Sequence, residues 1–122
     1  MFKIGATYTR DQIHSSVGGS KQAYIPTLNG SVVAICVQLN LNPGAPRELL
    51  CGIGPVIAKS AQLLASTAHK VPVFVKKDVN QWEYTGLYRP IASHTSGPRF
   101  NAMLAGSGRP PSDVSLAIEM SP

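Results

Sequence analysis

Apolar residues along the chain keep two rhythms, a period of two in several short stretches and a period of 3.6 in one long one. "VPVFVKK" and "QWEYTGLYR", residues 71–77 and 81–89, are rich in β-branched and aromatic side chains, and the "DVN" between them predicts a hairpin. "AYIPT" is extended because Ile25 precedes a proline, and Asn29-Gly30 is a tight-turn signal that feeds a strand over "SVVAICVQL". "ELLCGIG" predicts another strand, and "SDVSLAIEM" alternates Val114, Leu116, Ile118 and Met120 as a last, half-buried one. The long rhythm lies in "PVIAKSAQLLASTAH", where Pro55 opens a helix and Ile57, Ala61, Leu64 and Ala68 share one stripe.

The remaining stretches are shorter. "TYTR" predicts a short strand, and Asp11 stands as the N-cap of a helical turn over "QIHSSV" that ends at Gly18. "NLNPGAPR" reads as loop, as does "SHTSGPRFNAMLAGSGRPPS" apart from a helical turn at "RFNAML". Most strands are joined by turns too short for parallel crossovers, so about six strands and one main helix predict an α+β fold. The expected architecture is a curved, mostly antiparallel sheet or barrel with that helix packed against it, in a single domain over residues 1–122. No internal repeat is visible.

A chain of 122 residues, 43% hydrophobic and 14% charged, can bury a core without metals or disulfides. Cys36 and Cys51 sit among apolar neighbours, at a spacing unlike a zinc motif, and read as reduced core residues. No charged-then-apolar leader opens the sequence and no apolar run approaches a membrane span, which predicts an intracellular protein with no membrane partner.

Eleven Lys and Arg against six Asp and Glu leave a net charge of +5, which points to a polyanion, nucleic acid first, against the alternative of an inert basic surface. Catalysis has little to stand on. The carboxylates are scattered, and none of the hydrolase, zinc-protease, phosphate-loop or dinucleotide motifs is present. His14, His69 and His94 lack neighbours at ligand spacing, so neither an enzyme, a metal nor a cofactor is expected.

Strict alternation in "WEYTGLY" places Trp82, Tyr84, Gly86 and Tyr88 on one face, either as core rings or as walls for a flat ligand beside the glycine. Gly18 and Gly19 allow close backbone approach to a partner, and Ser20, Lys21 and Gln22 add a hydroxyl, a cation and an amide suited to a base edge. Either pattern alone also fits a plain turn or a plain core.

Two motifs together carry a more specific likeness. Tyr8, Arg10, Ile13 and His14, followed by Gly18, Gly19, Gln22 and Ile25, form a pattern Y-x-R-x-x-I-H then G-G-x-x-Q-x-x-I. It resembles the opening of the SRA-like reader domain found beside HNH nucleases in McrA-like modification-dependent restriction enzymes. "VPVFVKKDVNQWEYTGLYRP" is similar to the aromatic hairpin of that group and of a fungal domain of unknown function. The likeness spans roughly residues 2–90 and departs from the family at Ala23-Tyr24, where a glycine commonly precedes the isoleucine.

The resemblance implies a PUA/SRA-like barrel with flanking helices that binds duplex DNA and takes a modified, most simply methylated, base out of the stack. Tyr24, Trp82, Tyr84 and Tyr88 would then wall the base pocket, with Gln22 and His14 at its edge. Gly18, Gly19, Ser20 and Lys21 would form the DNA loop, and Arg10, Lys76, Lys77 and Arg89 would join Lys21 in holding phosphates. No nuclease is attached, so cleavage would fall to a separate nuclease or effector chain. A PUA-like RNA binder, or a structural or protein-interaction module whose aromatic face is core, are the alternatives. 5-Methylcytosine, hydroxymethylcytosine, N6-methyladenine and phosphorothioate all remain open as the mark.

Overall fold

The two segments richest in β-branched and aromatic residues pair at the centre of the fold. In the computed structural model, which describes residues 1–122, they are β6 (Val71–Asp78) and β7 (Gln81–His94), antiparallel around a turn at Val79-Asn80. Before them come β1 (Thr7–Tyr8), α1 (Arg10–Val17), β2 (Thr27–Leu28), β3 (Ser31–Val32), β4 (Ile35–Val37), β5 (Glu48–Cys51) and α2 (Pro55–Ala65). After them come α3 (Pro98–Ala105), a short 3-10 turn and β8 (Leu116–Ser121).

The main sheet runs β4-β6-β7-β8-β5, with β1 added to β7, and every pairing is antiparallel except β4 with β6. β2 and β3 form a separate hairpin turned at Asn29-Gly30, as the sequence predicts. The fold is thus α+β with a mostly antiparallel sheet. The path has two ends, β4 and β5, and closes into no barrel.

Both faces of this sheet are covered. On one, Val71, Val73 and Val75 of β6 join Ile35, Val37, Ile118 and Met120 beneath Ala61 and Leu64 of α2. On the other, Phe74, Cys36, Trp82 and Tyr84 pack with Ile13 of α1, and Phe2 and Tyr8 lie edge-on to Phe74. Leu50 and Ala117, between residues that face α2, meet Phe100, Met103 and Leu104 of α3. Three helices, rather than one, therefore cover the sheet, and burial on both faces explains why β8 holds Ala117 as deeply as its alternating partners.

Two irregularities in β7 correct the alternation expected of it. Val73 pairs with Gly86 but Phe74 pairs with Tyr84, so Thr85 is an extra residue opposite β6. This bulge, with Gly86 at φ +124°, reverses the facing of all that follows. Trp82 and Tyr84 therefore point toward α1, and Tyr88 joins the opposite core under α2. The second irregularity lies between Pro90 and Ala92, and there β7 accommodates a proline and continues to His94 along β8.

Two local starts also differ from expectation. Thr9, not Asp11, caps α1: its hydroxyl accepts from Gln12 N (3.1 Å) while Gln12 Oε1 accepts from Thr9 N (2.9 Å). The stretch "SVVAICVQL" is two strands rather than one, interrupted at Val33-Ala34.

Candidate functional site

Arg10 is the least expected feature of the site, because arginine seldom goes inside without a partner. It is 9% exposed, lies 5.3 Å from the centre of the Trp82 ring, and its Nη2 donates to both Ser20 O and Ala23 O at 2.9 Å. Its own N–H donates to Asn80 Oδ1 in the β6–β7 turn (3.0 Å). The guanidinium therefore fastens residues 20–23 onto the sheet. Ser20 Oγ tightens the same loop by accepting from Gln22 N and Ala23 N, each at 3.0 Å.

The glycine pair makes this loop possible by packing, rather than by reaching outward. Gly18 and Gly19 sit at φ +80° and +79°, and a Cβ on Gly19 would stand 2.9 Å from Pro26 Cβ and 3.2 Å from Thr27 O. His14 adds a strut: its Nδ1–H donates to Gly19 O (2.6 Å). Gly19→Ala should cost about 1–3 kcal/mol from backbone strain. Urea denaturation checks this, and an unchanged midpoint would mean that the loop tolerates a side chain here.

The clamped loop delivers Tyr24 to a wall. Tyr24 O accepts from Cys36 N (2.7 Å), and its hydroxyl donates to Ile57 O in the first turn of α2 (2.9 Å), so the ring is pinned at both ends. Beside it opens a cavity of about 490 Å³, bounded by the 22–24 segment, the end of β4, the loop after it, β5, the start of α2 and Arg109. Three side-chain amides line it, from Gln22, Gln38 and Asn42, with apolar walls from Val37, Leu41, Leu50, Val56 and Ile57. Such a size and lining suit a small organic ligand held by a few placed polar groups. Burial pushes the Tyr24 phenol well above its ordinary value and the Cys36 thiol up to about 11, so both are neutral walls.

Of the residues expected at a base pocket, the structure brings Tyr24 and Gln22 to this cavity. Trp82, Tyr84 and Tyr88 are buried core rings, and His14 is committed to Gly19 O. Arg10 is a loop clamp rather than a phosphate contact. Lys21 is exposed and pairs with Asp11 (3.1 Å), Lys77 pairs with Glu83 (3.2 Å), and Lys76 lies 5.7 Å over the Trp82 ring. A shallow cleft next to the cavity has Lys76 and Lys77 on one side and Gln38 on the other, so Gln38 belongs to both. Ser20 and Arg89 are exposed, and neither lines the cavity.

Sequence reasoning missed Gln38, Asn42 and Arg109. Gln38 falls in the expected strand "SVVAICVQL" and Asn42 in the expected loop "NLNPGAPR", although amides at the end of a buried strand are a signal of polar work. Asn42 is 7% exposed and its Oδ1 accepts from Leu50 N (2.7 Å). Arg109 donates to Leu41 O (3.0 Å), Leu50 O (2.9 Å) and Asp113 O (3.2 Å), tying three strands of chain around the cavity mouth.

No curated protein and no solved structure matches the chain. A family of domains matches over residues 7–102, a span that takes in the glycine loop, the aromatic strand and every cavity wall except Arg109. The chain belongs to that family, described as a domain of unknown function (DUF6697).

Proposed function

We propose that this domain reads duplex DNA carrying a modified base and receives that base, turned out of the stack, in the cavity beside Tyr24. The observation that carries the reading is the cavity itself: a pinned aromatic ring next to the amides of Gln22 and Gln38, able to donate and accept at a base edge, and the N–H groups of Asn42. The rim supports it, because Lys76 and Lys77 flank the cleft that shares Gln38, and Lys21 precedes Gln22. A net charge of +5 supplies the general attraction to phosphate. On this reading the open sheet is an SRA-like frame, and the domain binds without cutting while a separate nuclease or effector chain acts on the marked site.

A panel of duplexes of one sequence, differing only in the modification of one base, tests this directly, with matched RNA as a further arm. Preference for a modified duplex at fixed salt supports it. Equal binding of all duplexes overturns it, and preference for RNA transfers the cavity to an RNA ligand. Within the panel, Tyr24→Ala should lose roughly 1–3 kcal/mol toward the modified duplex, the usual worth of a stacking ring. Tyr24→Phe keeps the ring and should retain the preference. Lys77→Ala should weaken modified and unmodified duplexes alike and reduce the salt slope by about one unit. A loss confined to the modified duplex would instead place Lys77 at the base.

A further inference from the structure

The polar groups of the cavity are unbalanced toward donors. Asn42 has spent its oxygen on Leu50 N, which leaves its amide N–H groups to offer. Arg109 uses three of its five N–H groups on backbone carbonyls, both on Nη1 and one on Nη2, and keeps the Nε–H and one Nη2–H. No carboxylate lies within salt-bridge distance of Arg109, and no Asp or Glu lines the cavity. Arg109 is thus the one formal charge on its walls. The start of α2 adds a field of the same sign, since Gly54 offers no side-chain cap and the first turn holds no acid.

We infer that the modification accepted here carries a hydrogen-bond acceptor, above all an anionic one such as a carboxyl group, rather than a bare methyl. The inference rests on the base-pocket reading above. A base entering the cavity strips water from the remaining N–H groups of Arg109, and a methyl group would leave them without a partner. A carboxylate meets them with charge-assisted bonds. An exocyclic amino group, a donor, finds no acid to accept from it, only the oxygens of Gln22 and Gln38 and the hydroxyl of Ser60.

Three duplexes of one sequence test this, with a single central cytosine left plain, carrying a 5-methyl group, or carrying a 5-carboxyl group. The wild-type protein should bind the 5-carboxyl duplex about tenfold tighter than the 5-methyl duplex at fixed salt. Nonspecific attraction cannot mimic this, because one added charge changes little on a duplex that already carries one at every phosphate. In R109Q the ratio of 5-carboxyl to 5-methyl affinity should fall toward one. Because Arg109 also ties three carbonyls, the wild-type ratio is the primary readout and stands without the variant. A 5-methyl preference overturns this inference and leaves the base pocket standing. Equal affinity for all three, or no binding, overturns this inference, and the base pocket falls with it only if the wider panel of modified duplexes is also bound alike.

Discussion

Trp82→Ala should destabilise the domain by about 3–5 kcal/mol in urea denaturation, the cost of removing a large aromatic from a packed core. The ring is 7% exposed and packs with Ile13, Ala34, Cys36, Phe74 and Tyr84, between α1 and the sheet. The surrounding β-sheet restrains collapse into the space left behind, so the cavity term persists beside the lost burial. The stack with Arg10 goes as well, and with it a contribution of about 0.5–2 kcal/mol typical of a partly desolvated cation over a ring. In the fraction that stays folded, direct stacking on a base is untouched, because Trp82 does not line the cavity. A variant of unchanged stability that had lost roughly 1–3 kcal/mol of modified-duplex binding would reverse the assignment and return Trp82 to the base.

Of the two readings open for the aromatic face, core rings or ligand walls, alternation could decide neither, and it also grouped rings that the fold separates. Alternation assigns faces only while the ladder is regular, and one extra residue at Thr85 sends Tyr88 to the face opposite Trp82 and Tyr84. Gly86 was the available sign, since a glycine inside a strand marks a bulge as often as a ligand's approach. The Asn29-Gly30 turn, α2 from Pro55 and the alternation of β8 were legible, as was the β6–β7 hairpin in its pairing although not in its facing. α3 was read as little more than a turn because its glycine-rich flanks dominated the reading, although Gly97-Pro98 is itself a helix start. The cavity was legible only in part. Its walls come from segments as distant as residues 22 and 109, which no local pattern connects, and Tyr24 and Gln22 stood out because they broke or matched a motif.

Arg10 tests the link between that buried frame and the cavity. The sequence assigned it to phosphate, where its loss would weaken all DNA equally and flatten the salt dependence by about one unit. Its position assigns it to the fold. Arg10→Met keeps an unbranched apolar stem over Trp82 but removes two charge-assisted bonds, each worth about 1.5–3 kcal/mol, to Ser20 O and Ala23 O. The loss is offset in part because Arg10 Nε is buried without a partner and its desolvation is relieved. A net destabilisation of about 3 kcal/mol is expected, with faster hydrogen exchange over residues 20–24 as the freed carbonyls turn to water. Arg10→Lys should not restore it, since a single ammonium lacks the planar fork and the flat stack on the ring. With the loop loosened, Gln22 and Tyr24 lose their fixed positions, so preference for the modified duplex falls while phosphate-driven binding and its salt slope persist. Intact stability with a flattened salt slope would instead put Arg10 on the DNA backbone.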